Sequence, residues 1–172
     1  MIRVFSFLLL TMGWLFGTQA EDGIKIGDPL PALTVPDQDG KPFDLGSYGS
    51  KGLLLVFFYP KANTPGCTAQ ACSLRDANAE LTQKGVKVVG ISADKPDSQK
   101  EFVTRQKLPY PLLADHEGKV IKAFGVEGMA FGFAKRSAFL FQDGKLVWRD
   151  PKGSTSDQGE TVLKAIESLP RP

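Results

Sequence analysis

The stretch LLLVFFYPKANTPGCTAQACSLRD, residues 53–76, joins a strand-like run to a helix-like run and contains both cysteines of the chain, Cys67 and Cys72. Residues 53–59 are continuously apolar over the length of a strand, which predicts a buried central strand. Between residues 68 and 81 the apolar residues recur at helical spacing, which predicts a helix. The cysteines therefore lie where a strand passes into a helix, at one edge of a predicted sheet.

The remainder of the chain alternates strand-like and helix-like segments. Further strands are predicted at residues 33–36, 86–91, 111–114, 137–141 and 145–148, and further helices from residue 96, at 120–124 and at 161–169. Such alternation predicts an α/β chain in which helices flank a central mixed sheet. The Asp39-Gly40 turn adds an N-terminal β-hairpin extension, and the Asp143-Gly144 turn predicts a second hairpin. This pattern is typical of a thioredoxin-like fold.

Length and charge limit the function classes. A chain of 172 residues is long enough for one domain with its own core. A net charge of +2 provides no strong field for nucleic acid or anionic membranes. We therefore expect neither as a partner.

The N-terminus is typical of a secretory signal. Arg3 precedes an almost wholly apolar run at residues 4–16, which is too short to span a bilayer, and small residues follow as far as Ala20. We predict a signal peptide at residues 1–20 and a mature domain at residues 21–172. The protein is then exported, with the periplasm as its expected location, and has no stable membrane association. An uncleaved N-terminal anchor is the alternative.

The cysteine pair does not match a metal site. A structural zinc site needs about four cysteine or histidine ligands. The chain offers Cys67, Cys72 and a single histidine, His116, within a charged turn. We therefore expect no metal, and no partnership of His116 with a nucleophilic cysteine.

A structural disulfide is the ordinary expectation for two cysteines in an exported protein. On a regular helix, however, residues five apart have Cα atoms separated by roughly 8–9 Å. A disulfide tolerates at most about 7 Å between its Cα atoms. A bond between Cys67 and Cys72 therefore requires the helix to unwind, which suits a catalytic intermediate better than a structural link.

Redox chemistry is the reading that remains. A cysteine at a helix N-terminus faces unpaired N–H groups and the positive end of the helix dipole, and both stabilise a thiolate. Thr64 offers a hydroxyl close to Cys67, and Gly66 lets the backbone approach a small substrate. Arg136 directly precedes a predicted strand and is the candidate cation, although its position beside Lys135 also fits an ordinary exposed residue.

Residues 60–67, PKANTPGC, resemble the active-site signature P-x-x-x-T-x-x-C of peroxiredoxins. The following run CTAQACSLRD resembles the peroxiredoxin Q branch, also called bacterioferritin comigratory proteins. The likeness includes residues 36–40, 89–94, 124–126 and 136–140, and it covers nearly all of residues 24–169.

The resemblance implies a thiol-dependent peroxidase that serves antioxidant defence and reduces hydrogen peroxide and organic hydroperoxides. Cys67 would be the peroxidatic cysteine and become a sulfenic acid, and Cys72 would resolve it to an intramolecular disulfide. Thr64, Arg136 and the backbone N–H groups of Gly66 and Cys67 would bind the substrate, while Pro60 would shield the pocket.

The resemblance also implies the partners. A thioredoxin-like dithiol protein would reduce the disulfide, no cofactor would be needed, and the chain would be a monomer. The predicted signal leaves the identity of the reductant open. The segment at residues 127–134, rich in glycine and phenylalanine, is either a hydrophobic rim that favours organic hydroperoxides or a loop that covers the core. Two other functions stay open: an exported thiol–disulfide oxidoreductase, and a non-catalytic binding module with a structural disulfide.

Overall fold

The computed structural model describes residues 23–128 and 132–170. The predicted signal peptide at residues 1–20 lies outside the described residues, as do the first two residues of the predicted mature domain. Among the helices described in those two ranges, none combines the length and apolar character needed to span a membrane.

Strands and helices alternate along the described chain. The elements are β1 (Thr34–Pro36), β2 (Pro42–Asp44), α1 (Leu45–Tyr48), β3 (Leu53–Phe58), α2 (Pro65–Asp76), α3 (Asn78–Gln83), β4 (Val86–Ser92), α4 (Pro96–Gln106), β5 (Leu112–Ala114), α5 (Lys119–Phe124), β6 (Ser137–Gln142), β7 (Lys145–Asp150) and α6 (Gln158–Glu167).

The five-stranded sheet is mixed and has the order β5-β4-β3-β6-β7. Strand β3 lies at its centre, parallel to β4 and antiparallel to β6. Strands β1 and β2 form the separate N-terminal hairpin. The predicted α/β architecture, with its central mixed sheet and hairpin extension, is confirmed.

Three details differ from the sequence prediction. The helix predicted at residues 68–81 is two helices that meet at Ala77, where ψ is near −7° instead of the roughly −42° of an α-helix. The first of them begins at Pro65, since proline suits the first turn of a helix. The hairpin prediction gave no bounds for its second strand, β2, and the single turn α1 was not predicted.

Successive side chains of β3 point to opposite faces of the sheet, which divides the core into two layers. Leu54, Val56 and Phe58 pack on one face of the sheet. Leu55, Phe57 and Tyr59 pack on the other face, in the same cluster as residues of α2. Helix α2 also packs against α6 on this side. The helix that contains both cysteines thus packs against both the sheet and the C-terminal helix.

Candidate active site

The connection from β3 to α2 is anchored to the end of β4. The Asp94 carboxylate accepts a hydrogen bond from the backbone N–H of Ala62 at 2.8 Å. It also accepts one from the Ser92 hydroxyl at 2.7 Å. Since Ser92 is the last residue of β4, these bonds fix the loop that leads to Cys67 relative to the sheet.

A buried polar network supports this anchor. The Tyr59 hydroxyl donates to the Gln99 side-chain oxygen. The Gln99 amide nitrogen in turn donates to the Ser92 hydroxyl at 2.9 Å and to the carbonyl of Leu113 at 2.8 Å. Burial raises the pKa of Tyr59 far above its ordinary value. Its phenol therefore stays neutral, and a satisfied network of this kind rigidifies the base of the loop.

Cys67 lies in the first turn of α2 and is 1% exposed. The backbone N–H groups of a first helical turn have no partner within the helix and present partial positive charge. No acidic residue occupies the first turn of α2. The Cys67 sulfur therefore lies in an electropositive environment at the start of α2.

Arg136 provides the second source of positive charge. Its Nη2 lies 3.5 Å from the Cys67 sulfur. Its Nη1 donates to the carbonyl of Gly66 at 3.2 Å and to Gln70 Oε1 at 2.7 Å. The structure thus brings the predicted cation and the predicted nucleophile together, rather than leaving Arg136 in solvent beside Lys135.

Gly66 permits this approach. A Cβ atom at position 66 would lie 3.2 Å from Arg136 Nη2, which is tighter than most Cβ contacts and would push the guanidinium away slightly. Pro60 lies half-buried at the start of the loop. Thr64 is the N-cap residue of α2, and its hydroxyl donates to the carbonyl of Lys61 at 2.9 Å. Donation from Thr64 to the sulfur or to a substrate remains a prediction, since the hydroxyl proton is used locally in this state.

Cys72 lies farther along the same helix and is half-buried. Its sulfur is 3.6 Å from the side-chain oxygen of Gln106, at the end of α4. Both thiols are free. Because Cys67 and Cys72 lie on one continuous helix, the helical geometry keeps their Cα atoms beyond disulfide range.

Two glutamines at the site were not identified from the sequence. Gln70 and Gln158 are both fully buried, and the Gln70 amide nitrogen donates to Gln158 Oε1 at 3.2 Å. The sequence carries only a weak signal for Gln70, which follows Cys67 by three residues and therefore lies on the same face of the helix. It carries none for Gln158, which reaches the site only through the packing of α6.

The remaining sequence candidates are His116 and the segment at residues 127–134. His116 lies in the turn before α5, with Nδ1 3.4 Å from the carbonyl of Ala114. Among the described residues, no group of three or more histidine, cysteine or acidic side chains is placed to hold a metal ion. Of the segment at residues 127–134, residues 129–131 lie outside the described chain. Glu127 and Ala134 on either side form a β-bridge, and Ala134 is buried.

Comparison with known proteins agrees with this geometry. A model of the AhpC/TSA family matches residues 26–149. Peroxiredoxin Bcp of Escherichia coli K12 is 41% identical over 151 residues, covering 84% of this chain and 96% of that protein. Peroxiredoxin bcp1 of Schizosaccharomyces pombe is 40% identical over 147 residues, covering 86% of this chain and 69% of that protein.

Solved structures show the same fold. Peroxidoxin BcpB from Mycobacterium tuberculosis is 33% identical, with a TM-score of 0.79 over 86% of this chain and 99% of that one. A bacterioferritin comigratory protein from Xanthomonas campestris, studied for its alkyl peroxide reduction activity, is 28% identical, with a TM-score of 0.73 over 82% of this chain and 98% of that one. The predicted thioredoxin-like fold and the predicted resemblance are both confirmed. The chain belongs to the AhpC/TSA family and is a peroxiredoxin of the bacterioferritin comigratory, or peroxiredoxin Q, group: a thiol peroxidase enzyme.

Proposed function

We propose that Cys67 is the peroxidatic nucleophile. The observation that carries this proposal is the position of its sulfur in the first turn of α2, 3.5 Å from Arg136 Nη2. The Cys67 thiolate attacks the nearer peroxide oxygen, the O–O bond breaks, and the departing alkoxide or hydroxide takes a proton to leave as alcohol or water. Cys67 is thereby oxidised to a sulfenic acid. Arg136 and the helix N-terminus stabilise the negative charge throughout this step.

Cys72 is the resolving cysteine in this proposal. Its thiolate attacks the sulfenic sulfur of Cys67, forms a disulfide and releases hydroxide, which is protonated to water. The intact α2 holds the two residues too far apart for that bond. The first turns of α2 must therefore unwind after peroxide has reacted, and the contact between Cys72 and Gln106 must open.

Hydrogen peroxide and small organic hydroperoxides are the proposed substrates. A nearly buried thiol suits a small peroxide better than a bulky one. The alkyl peroxide reduction activity described for the Xanthomonas campestris relative supports the organic substrates. Thr64 and the N–H groups of Gly66 and Cys67 are the remaining proposed substrate ligands, and Pro60 shields the thiolate from water.

The reductant is proposed to be a thioredoxin-like dithiol protein, which attacks the Cys67–Cys72 disulfide by exchange and is itself oxidised. If the N-terminal segment is a cleaved signal, the protein works as a periplasmic antioxidant enzyme and needs an exported reductant. A monomer is the proposed state, because the resemblance to the peroxiredoxin Q branch implies one.

The two other functions are less well supported. A thiol–disulfide oxidoreductase must offer its reactive sulfur to a protein substrate, but Cys67 is 1% exposed. A binding module with a structural disulfide requires a bond that is compatible with the folded helix, and both thiols are free on an intact α2.

The test is intact mass spectrometry of the reduced protein after one equivalent of hydrogen peroxide. The parent chain should lose two hydrogens, and Cys72→Ser should gain one oxygen. Cys67→Ser is the control and should remain unchanged. Rapid oxidation of the Cys67→Ser chain would overturn the assignment of the nucleophile. Full cycling of Cys72→Ser with a thioredoxin-type reductant would overturn the role of Cys72.

A further inference from the structure

We propose that Gln158, on the C-terminal helix, is a positioning residue for the peroxidase reaction. It acts through Gln70 on Arg136, and Arg136 acts on the Cys67 sulfur. The pair Gln70 and Gln158 is called the amide relay below. The inference rests on the proposed function, since it concerns the attack of Cys67 on peroxide.

The relay is a continuous chain of hydrogen bonds. Arg136 Nη1 donates to Gln70 Oε1 at 2.7 Å. Gln70 Nε2 donates to Gln158 Oε1 at 3.2 Å, and the backbone N–H of Ser154 donates to the same oxygen at 2.9 Å. Both glutamine side chains are fully buried. Water therefore cannot easily replace a lost partner. The loss of one hydrogen bond in the chain should also weaken the orientation of the next side chain toward Arg136.

The two ends of the relay fix its direction. An arginine can only donate, so Gln70 must present its oxygen to Arg136 and its nitrogen to Gln158. The Ser154 backbone N–H can also only donate, so Gln158 must present its oxygen. The Gln158 nitrogen then finds no acceptor among the described residues. The two donors that face this oxygen, Gln70 Nε2 and the Ser154 N–H, therefore fix the orientation of the Gln158 amide.

The chemistry of an amide suits this task better than that of a carboxylate. A glutamate in place of Gln70 would pair directly with Arg136 and neutralise part of the charge that faces the Cys67 sulfur. A neutral amide oxygen holds one edge of the guanidinium and leaves its charge available to the thiolate. The relay therefore orients Arg136 without competing with Cys67 for it.

The relay serves the attack step and not the resolving step. Gln70 lies between Cys67 and Cys72 in the part of α2 that must unwind, whereas Gln158 lies on α6. The relay is intact only while α2 is folded, and it must break before the disulfide forms. Loss of Gln158 should thus slow the oxidation of Cys67 without slowing the formation of the disulfide.

The experiment measures both steps by rapid-quench mass spectrometry of reduced protein mixed with hydrogen peroxide. Gln158→Met, which removes the acceptor oxygen at similar volume, should slow the attack about tenfold, as expected for a lost hydrogen bond in a charged chain. Gln158→Glu keeps an acceptor oxygen and should restore the attack rate to within about threefold of the parent. In both variants disulfide formation should be no slower than in the parent.

The matched control is Ser73→Ala. The Ser73 hydroxyl accepts the backbone N–H of Gly159 at 3.0 Å, so this variant removes a different α2–α6 contact and leaves the relay intact. Its attack rate should equal that of the parent. Equal slowing in Ser73→Ala and Gln158→Met would overturn the proposal, because it would show that the loss of any contact between α2 and α6 slows the attack. If Gln158→Met does not fold, Gln158→Asn, whose shorter side chain cannot span to Gln70, should show the same slowing.

Two negative results are distinguishable. A Gln158→Met protein that oxidises as fast as the parent overturns the relay alone. A parent protein that does not react with peroxide overturns the proposed function together with it.

Discussion

Arg136 is the residue on which the proposed reactivity of Cys67 depends most directly. Cys67 is 1% exposed, so the thiolate of the proposed mechanism would lose most of its hydration and would need a compensating charge. A guanidinium stays charged even when it is partly buried, and its fork can bind several acceptors at once. The Arg136 guanidinium donates to the Gly66 carbonyl and to Gln70, and its other terminal nitrogen faces the Cys67 sulfur.

Arg136→Ala should slow the oxidation of Cys67 roughly a hundredfold, the usual effect of removing a donor that stabilises developing charge. Stopped-flow measurement of the first turnover would test this. Lys135→Ala is the matched control, because it removes an exposed neighbouring charge that does not contact Cys67 in the structure. Comparable slowing in both variants would mean that general charge, rather than contact with the sulfur, is responsible.

The residue scale also shows what the sequence could and could not predict about the site. The positions of Cys67, Cys72 and Thr64 in or beside one helix follow from local spacing. The proximity of Arg136 could only be suggested, because it depends on the antiparallel pairing of β3 with β6. Gln158 could not be found, since a polar residue at the start of a helix is ordinarily exposed and only the packing of α6 on α2 buries it.

At the scale of elements, the proposed cycle places two opposing requirements on α2. Its first turn must be folded to create the electropositive space around Cys67, and the same turn must unwind for Cys72 to reach the sulfenic acid. The stability of this turn therefore sets the balance between attack and resolution.

Ala69→Gly should accelerate disulfide formation by about fivefold, because glycine lowers helix stability by about 1 kcal/mol relative to alanine. The rate is read as the appearance of the disulfide after one equivalent of peroxide. Ala79→Gly, the same substitution in the neighbouring α3, should weaken global stability without changing that rate. An unchanged rate of disulfide formation in Ala69→Gly would show that this step does not depend on the unwinding of α2.

The turn before α5 predicts a pH effect on stability. Asp115 is buried, and its Oδ2 accepts the backbone N–H of Ile121 at 2.8 Å. Burial raises the pKa of the Asp115 carboxyl, while the Ile121 N–H partly offsets this. The folded state therefore binds this proton more tightly than the unfolded state, and the contribution of Asp115 to stability falls as pH rises from about 4 to the raised native pKa.

Asp115→Asn removes this titration. Urea unfolding of the variant and the parent across that pH range should show the variant gaining stability relative to the parent as pH rises. Glu117→Gln is a control of opposite sign. The hydrogen bond from Lys119 lowers the pKa of Glu117, so the parent should gain stability relative to that variant as pH rises from the lowered native pKa to about 4.3. A constant difference between Asp115→Asn and the parent would contradict the prediction.

The elements that the sequence predicted are those with a strong periodic pattern. The central strand, the strand that ends before Asp94 and the C-terminal hairpin were all placed within a few residues. Helix α1 was missed because a single turn is too short to show a period. Asp44 is its only clear sequence signal, accepting the Ser47 N–H as an N-cap. The break at Ala77 was missed because alanine favours a helix and only the backbone geometry divides it.

For the whole molecule, oxidation and folding are coupled in the proposed cycle. Reduced protein has the complete α2 and its contacts with α6. In the disulfide form the first turns of that helix must be unwound, and the hydrogen bonds of the amide relay must be lost.

Reduction should therefore increase the helical circular dichroism of the protein by roughly two turns of helix and raise its thermal midpoint. The comparison uses fully oxidised and fully reduced parent protein. Cys72→Ser treated with peroxide is the control, and it should keep its helical signal because it cannot form the disulfide. A more stable oxidised form would support a structural disulfide instead.

The direction of β6 has a practical consequence. The strand begins at Ser137, next to Arg136, and ends six residues later at the Asp143–Gly144 turn. At about 3.4 Å per residue the turn lies roughly 20 Å from Ser137, at the opposite end of the strand from Arg136. An electrode surface or a reporter dye tethered at this hairpin would leave the peroxide-sensing end free in solution. The Asp143–Gly144 turn is thus a suitable attachment site for an immobilised peroxide sensor.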